Sequence, residues 1–165
     1  MPTRYSGPHH RTYTVSGSLE EVAAVIERRK EAGTTEWEPL LTWESDGNGN
    51  VTSVVVNCEI HIEMPDWDGY ADAPEPDRAS WDRFFAALTE HEDGHVQIVH
   101  SWLDDIDFWL SDNTETTVDA AFEHIVGRLQ DNSDEYDVFT KHGTERGCVI
   151  VVGAPADDEQ ELVEE

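Results

Sequence analysis

The feature that most constrains this chain is an apolar stripe at helical spacing that runs from Trp81 to Leu110 and carries His91-Glu92-Asp93-Gly94-His95 in its middle. Trp81, Phe84, Phe85, Leu88, Val99, Trp102, Leu103, Ile106 and Leu110 recur at the three- and four-residue steps of one helix face. The spacing predicts one helix over 81–110, with Ser80 as its N-cap and Asp82 in the first turn, where an acid suits the dipole. Histidines at i and i+4 lie about 40° apart on a helix, so both imidazoles reach one metal ion, with Glu92 beside them to act on a metal-activated water. The face that buries Leu88 and Val99 also carries Glu92 and His95, with His91 at its edge. A bare HExxH pattern is weak, but one embedded in a buried stripe predicts a hydrolytic Zn²⁺ site with Glu92 as general base. Gly94 costs about 1 kcal/mol relative to alanine inside a helix, which predicts that another segment approaches closely there.

Upstream, the pattern changes to period two. Val54, Val56, Cys58, Ile60, Ile62 and Met64 alternate with more polar residues, which predicts a half-buried strand over 51–64 that stops at Pro65. Asp46-Gly-Asn-Gly-Asn50 predicts a hairpin loop joining it to a strand over 37–44. Ser18 and Glu21 form a capping box that opens a helix ending before Gly33. Residues 12–15 alternate as a short strand. Downstream, Val118, Phe122, Ile125 and Leu129 predict a helix over 117–132, followed by a polar segment, and 148–152 reads as a short terminal strand. The fold class is therefore α+β: a small, mostly antiparallel sheet with an N-terminal helix, then a helical half carrying the histidines. The division is a flexible 1–11, one domain over 12–153, and an acidic disordered tail over 154–165.

Composition excludes several partners. With 37 acidic residues against 10 basic and a net charge of -27, a chain of 165 residues repels nucleic acid and anionic membrane. The acidic, lysine-poor surface resembles salt-adapted proteins. No apolar run is long enough for membrane insertion. The N-terminus shows no apolar signal segment, which predicts a cytoplasmic protein. Cys58 and Cys148 lie in apolar runs far apart and read as core residues.

A catalytic zinc needs three protein ligands and an open position. His100 lies about 140° around the helix from His95 and points away. Glu115, Asp119, Glu123 and His124 belong to the next helix or its start, His61 to the polar face of the main strand, and His9 and His10 to the loose start. His142 sits in a polar segment where the chain can fold back, and it leads these candidates without excluding the rest.

Three features together resemble a bacterial family of unknown function described as predicted secreted zinc-dependent proteases. They are Tyr13-Thr-Val-Ser-Gly17; a strand ending in Met64-Pro-Asp-Trp67 that leads through a proline-rich loop to Trp81 and the His91–His95 motif; and Tyr136-Asp137-x-x-Thr140-x-His142-Gly143 followed by Gly147. The resemblance spans most of residues 12–152. It implies a zincin-like domain, a secreted location in place of a cytoplasmic one, and a metallopeptidase acting on peptide or protein substrates. It makes His142 the third metal ligand beside His91 and His95, and it gives Tyr136 and Asp137 a part in the site. Tyr136 is then expected to donate a hydrogen bond to a developing oxyanion. Asp137 is expected to orient a ligand histidine from behind. By the same analogy the strand 51–64 forms the cleft wall and pairs with an extended peptide. The alternative is a non-catalytic zinc-binding structural or regulatory domain, closed by Asp137 as a fourth ligand.

Overall fold

A computed structural model describes residues 3–153. The order is β1 (Thr3–Val15), α1 (Leu19–Arg28), β2 (Thr34–Ser45), β3 (Val51–Trp67), α2 (Glu75–Leu103), the short α3 (Ile106–Leu110) and α4 (Val118–Thr140). The class is α+β, as the sequence predicts. The three strands run in the order β1-β3-β2, with β2 antiparallel to β3 and β1 parallel to it, so the sheet is mixed. The hairpin between β2 and β3 closes as expected: Asp46 accepts from the Asn48 and Asn50 backbone N–H groups, and Gly47 and Gly49 take positive φ. The capping box also forms, with Ser18 and Glu21 accepting from each other's backbone N–H.

Several elements run further than their patterns. Residues 3–11, expected to be loose, are strand: β1 pairs from Thr3 opposite Val56 to Val15 opposite Trp67. The register slips between Ser6 and His9, so Gly7-Pro8 is a bulge that hides the alternation from a sequence reading. Gly7 has φ +99°, and a Cβ there would lie 2.5 Å from the Ile60 carbonyl oxygen. Pro65 does not stop β3, which continues to Trp67. Past the Thr34–Glu63 pair β3 has a partner on one side only, so a missing N–H is tolerated.

The helices also shift. α2 begins at Glu75, with Pro76 in its first turn, a position where a proline sacrifices no hydrogen bond. Ser80 is therefore not the N-cap; it is buried inside the helix and its hydroxyl donates to the Val151 carbonyl at 2.5 Å. The long helix also breaks after Leu103. Thr3 donates to the Leu103 carbonyl, and Tyr5 donates to Asp104 at 2.6 Å, so β1 takes hold of the helix end. α4 runs to Thr140, eight residues beyond the expected end at Asn132. Residues 148–152 form no strand, although Cys148 is buried. The acidic run over 154–165 lies outside the described residues. No helix among the described residues is long and apolar enough to cross a membrane.

The described residues form two apolar clusters in the interior. One joins Leu19, Val22 and Ile26 of α1 to Ile62, Met64 and Trp67 of β3 and to Trp81, Phe84 and Leu88 of α2. The other joins Val56, Cys58 and Ile60 of β3 to Val99 and Leu103 of α2, to α3 and to Leu129 of α4. On α2 the first cluster ends at Leu88 and the second begins at Val99, with Val96 touching both. The turns between them carry His91, Glu92 and His95. The polar motif thus lies in the seam of the core, held by apolar packing above and below it.

Candidate metal centre

His91, Glu92 and His95 are 4%, 2% and 6% exposed. Polar groups buried this deeply need partners, and α4 and β2 supply them. Asp137 of α4 reaches across so that its Oδ1 lies 3.1 Å from His91 Nε2 and 3.0 Å from His95 Nε2. On the far side of its ring, His95 Nδ1 meets the Ser133 hydroxyl at 2.7 Å. A hydroxyl can donate or accept, so Ser133 serves either tautomer of His95. Burial would raise the Asp137 carboxyl, but its bonds to His91 and His95 outweigh that and hold it well below the usual carboxylate range.

The Glu92 carboxylate points toward β2. Its Oε2 accepts from the Thr35 hydroxyl at 2.6 Å, and Gly33 packs so close that a Cβ there would lie 2.8 Å from Oε1. Burial pushes its carboxyl above the ordinary value, against the opposing pull of Thr35 and the two imidazoles. These groups open onto a cleft of about 280 Å³ whose other walls are residues 31–37 of the chain and Gln130, Ser133 and Asp134 of α4.

The approach that Gly94 predicts is present, and the approaching residue is Tyr136. Its ring stacks on His91 with centroids 4.9 Å apart and planes at 13°, and it meets His95 edge-on at 5.0 Å. The Tyr136 hydroxyl donates to the His91 carbonyl at 3.4 Å, and the residue is not among those lining the cleft. Expected to stabilise an oxyanion, Tyr136 is instead packed behind the imidazoles, where it fixes their planes.

His142, the expected third ligand, does not fall in one set with His91 and His95. Two sets of metal-ligating atoms converge among the described residues: His91, His95 and Asp137 in one, and Glu31, Asp137 and His142 in the other. Asp137, expected behind a ligand, joins the two helix histidines directly. His142 Nδ1 lies 3.8 Å from Asp137 Oδ1 and 3.8 Å from Glu31 Oε1, at the cleft rim. The reason is that α4 runs on past Tyr136, which puts Asp137 on a rigid helix facing α2 and leaves His142 two residues beyond its end.

The remaining candidates lie elsewhere. His100 packs against Tyr5 with ring centroids 4.0 Å apart and contacts Asp104, His61 contacts Glu59, and the His9 ring packs at a tilt against His61. Cys58 and Cys148 are free and buried, as core residues should be. The strand 51–64 cannot pair with a peptide along its length, because β1 and β2 occupy both of its sides; the strand at the cleft is β2, an edge strand. Ser133, Thr35 and Glu31 escape the sequence reading. For Ser133 a signal exists: Leu129, Ser133, Tyr136 and Thr140 continue one helix face, which turns polar where it meets the histidines.

The residues present suit a metal ion. Two imidazoles and a carboxylate are a donor set of hydrolytic zinc, and ligands about one zinc are separated by about 3.3 Å, close to the spacings here. His91 Nδ1 is buried without a hydrogen-bond partner among the described residues. Neither the curated proteins nor the solved structures include a match to this chain. A family model described as bacterial protein of unknown function (DUF922) does match residues 10–143, a span that includes His91, Glu92, His95, Asp137 and His142, and the chain belongs to that family.

Proposed function

We propose that this protein is a zinc-dependent hydrolase of peptide bonds, with His91, His95 and Asp137 as the residues that hold the metal. The observation that carries this reading is the meeting of both motif imidazoles on one Asp137 oxygen, in a cleft that also contains the Glu92 carboxylate. Zinc bound there supplies a Lewis acid that polarises a carbonyl and brings the acidity of water near neutral pH. Glu92 takes the proton of the attacking water and returns it to the departing amine. Its burial and raised basicity suit that exchange, and Thr35 fixes the carboxylate in place. Ser133 holds His95, and Tyr136 holds the plane of His91. The free edge of β2 at the cleft offers backbone groups to an extended peptide substrate.

A second reading is a non-catalytic zinc-binding structural domain, favoured by the number of donors gathered around Asp137. Glu92→Gln separates the two. The hydrolase keeps its zinc and loses turnover of a generic protein substrate such as casein. A chain that loads zinc and shows no hydrolysis with Glu92 intact is the structural domain.

A further inference from the structure

Asp137 belongs to both converging donor sets, and this carries an inference that rests on the metal-binding reading above. We propose that the cleft binds two divalent cations, the second held by Glu31 and His142, with the Asp137 carboxylate bridging the pair.

The geometry of His142 is the starting point. Its Nδ1 is shut off from solvent and has no hydrogen-bond partner among the described residues, yet it stands 3.8 Å from both Glu31 Oε1 and Asp137 Oδ1. That distance is too long for a hydrogen bond. It suits two ligands of one ion, since donor bonds of about 2.0–2.2 Å allow ligand separations up to about 4.2 Å. The backbone is held to give this placement: Lys141 and His142 both have positive φ, at 49° and 54°. Non-glycine residues adopt that conformation only at a steric cost. Here it is enforced by His142 N–H donating to the Asp137 carbonyl at 2.8 Å and by Gly143 N–H donating to the Thr140 hydroxyl.

The three histidines do not converge as a single set among the described residues; His142 joins Asp137 and Glu31, and the helix histidines join Asp137. Charge leads to the same arrangement. Glu31, Glu92 and Asp137 are the three of the five carboxylates lining the cleft that are not exposed, Glu36 and Asp134 being the others, and none of the described lining residues is lysine or arginine. One dication leaves net negative charge in a partly buried site, which is costly, whereas two offset it. Imidazole with carboxylates suits zinc, manganese or cobalt at the second position. Its donors Glu31 and His142 are partly exposed, at 31% and 40% of their side chains, so an ion there faces the open side of the cleft, where substrate enters. Paired ions of this kind clamp the attacking and leaving groups of a hydrolysis together.

The test is a titration of the full chain, stripped with a chelator, with Zn²⁺ under calorimetry, followed by elemental analysis after desalting. Wild type is expected to bind two equivalents. Glu31→Gln and His142→Ala are expected to bind one, with unchanged circular dichroism. Glu36→Gln, an exposed carboxylate at the same cleft, is the control and should bind two. One equivalent in wild type removes the second site and leaves the single-metal reading standing. Two equivalents in both Glu31→Gln and His142→Ala place the second ion elsewhere on the acidic surface and overturn the proposal. Loss of both ions in His142→Ala alone makes His142 a ligand of the first metal and also overturns it. No binding in any variant removes the metal reading itself.

Discussion

Gly94 and Tyr136 set the separation of α2 and α4: a Cβ on Gly94 would lie 2.7 Å from the Tyr136 Cζ. The glycine between His91 and His95 is therefore a packing requirement imposed by the facing helix. In an open helix, glycine to alanine stabilises by up to about 1 kcal/mol. Here Gly94→Ala is expected to destabilise by roughly 1–3 kcal/mol, the usual cost of overpacking. It should also weaken zinc binding, because the Tyr136 ring carries the plane of His91. Adding Tyr136→Leu should recover part of the stability but not the metal affinity. Urea denaturation and chelator competition read the two effects separately, and an unchanged or raised midpoint for Gly94→Ala would refute the tight approach.

Glu92→Gln tests the chemistry. The amide keeps the shape and the Thr35 contact but cannot take a proton. General-base loss costs about 10²–10⁴ in rate, so kcat on a protein substrate should fall by that range while zinc content stays at the wild-type level. The stability of the variant relative to wild type, both without metal, should rise as pH rises through and above the ordinary carboxylate range, since the variant lacks a carboxylate whose ionisation burial opposes. Retained turnover would remove Glu92 from the mechanism.

Ser133 is argued to act through His95, without touching substrate. Ser133→Ala removes the bond to Nδ1, and loss of such an orienting partner typically weakens metal binding 10–100-fold. The expected result is that shift in a competition titration, with Ser133→Thr restoring affinity. Equal affinity for wild type and Ser133→Ala would reduce Ser133 to packing.

How much of this arrangement was legible in the sequence depends on which signal each residue carries. The helix around His91 and His95 could be read because Leu88, Val99 and their neighbours repeat at helical spacing and because a metal needs two imidazoles on one face. α1 and the β2–β3 hairpin could be read from local hydrogen-bond chemistry at Ser18 and at Asp46. The helical character of residues 133–140 could not, because that face of α4 is polar: it meets histidines instead of aliphatic core, and hydrophobic periodicity fails where a helix lines a polar site. The position of Asp137 followed that error, since a residue placed in a loop is not expected to face α2. β1 was concealed by the Gly7-Pro8 bulge, and its parallel pairing with β3 is a tertiary fact that no local pattern encodes. Glu31 carries no sequence signal at all, being one acid among 37.

The two thiols make the last prediction, for alkaline pH. Burial pushes the Cys58 and Cys148 thiols up to about 11 from an ordinary value near 9, and for Cys148 the nearby Glu92 and Glu90 carboxylates add to the shift. Between those values the folded chain keeps protons that the unfolded chain gives up. Stability from these groups is therefore fully present below pH 9 and declines as pH rises towards 11. The Tyr5 phenol, raised by burial and by its bond to Asp104, acts in the same direction. Denaturation midpoints measured at intervals from pH 7 to 11 should be flat at first and then fall, and Cys58→Ala or Cys148→Ala should flatten the fall while lowering the plateau through lost packing. At pH 8 both thiols should resist Ellman's reagent in the native state and react together on unfolding. Rapid labelling of Cys148 in the folded protein would show that residues 143–148 open readily, and would remove the basis for a rigid His142.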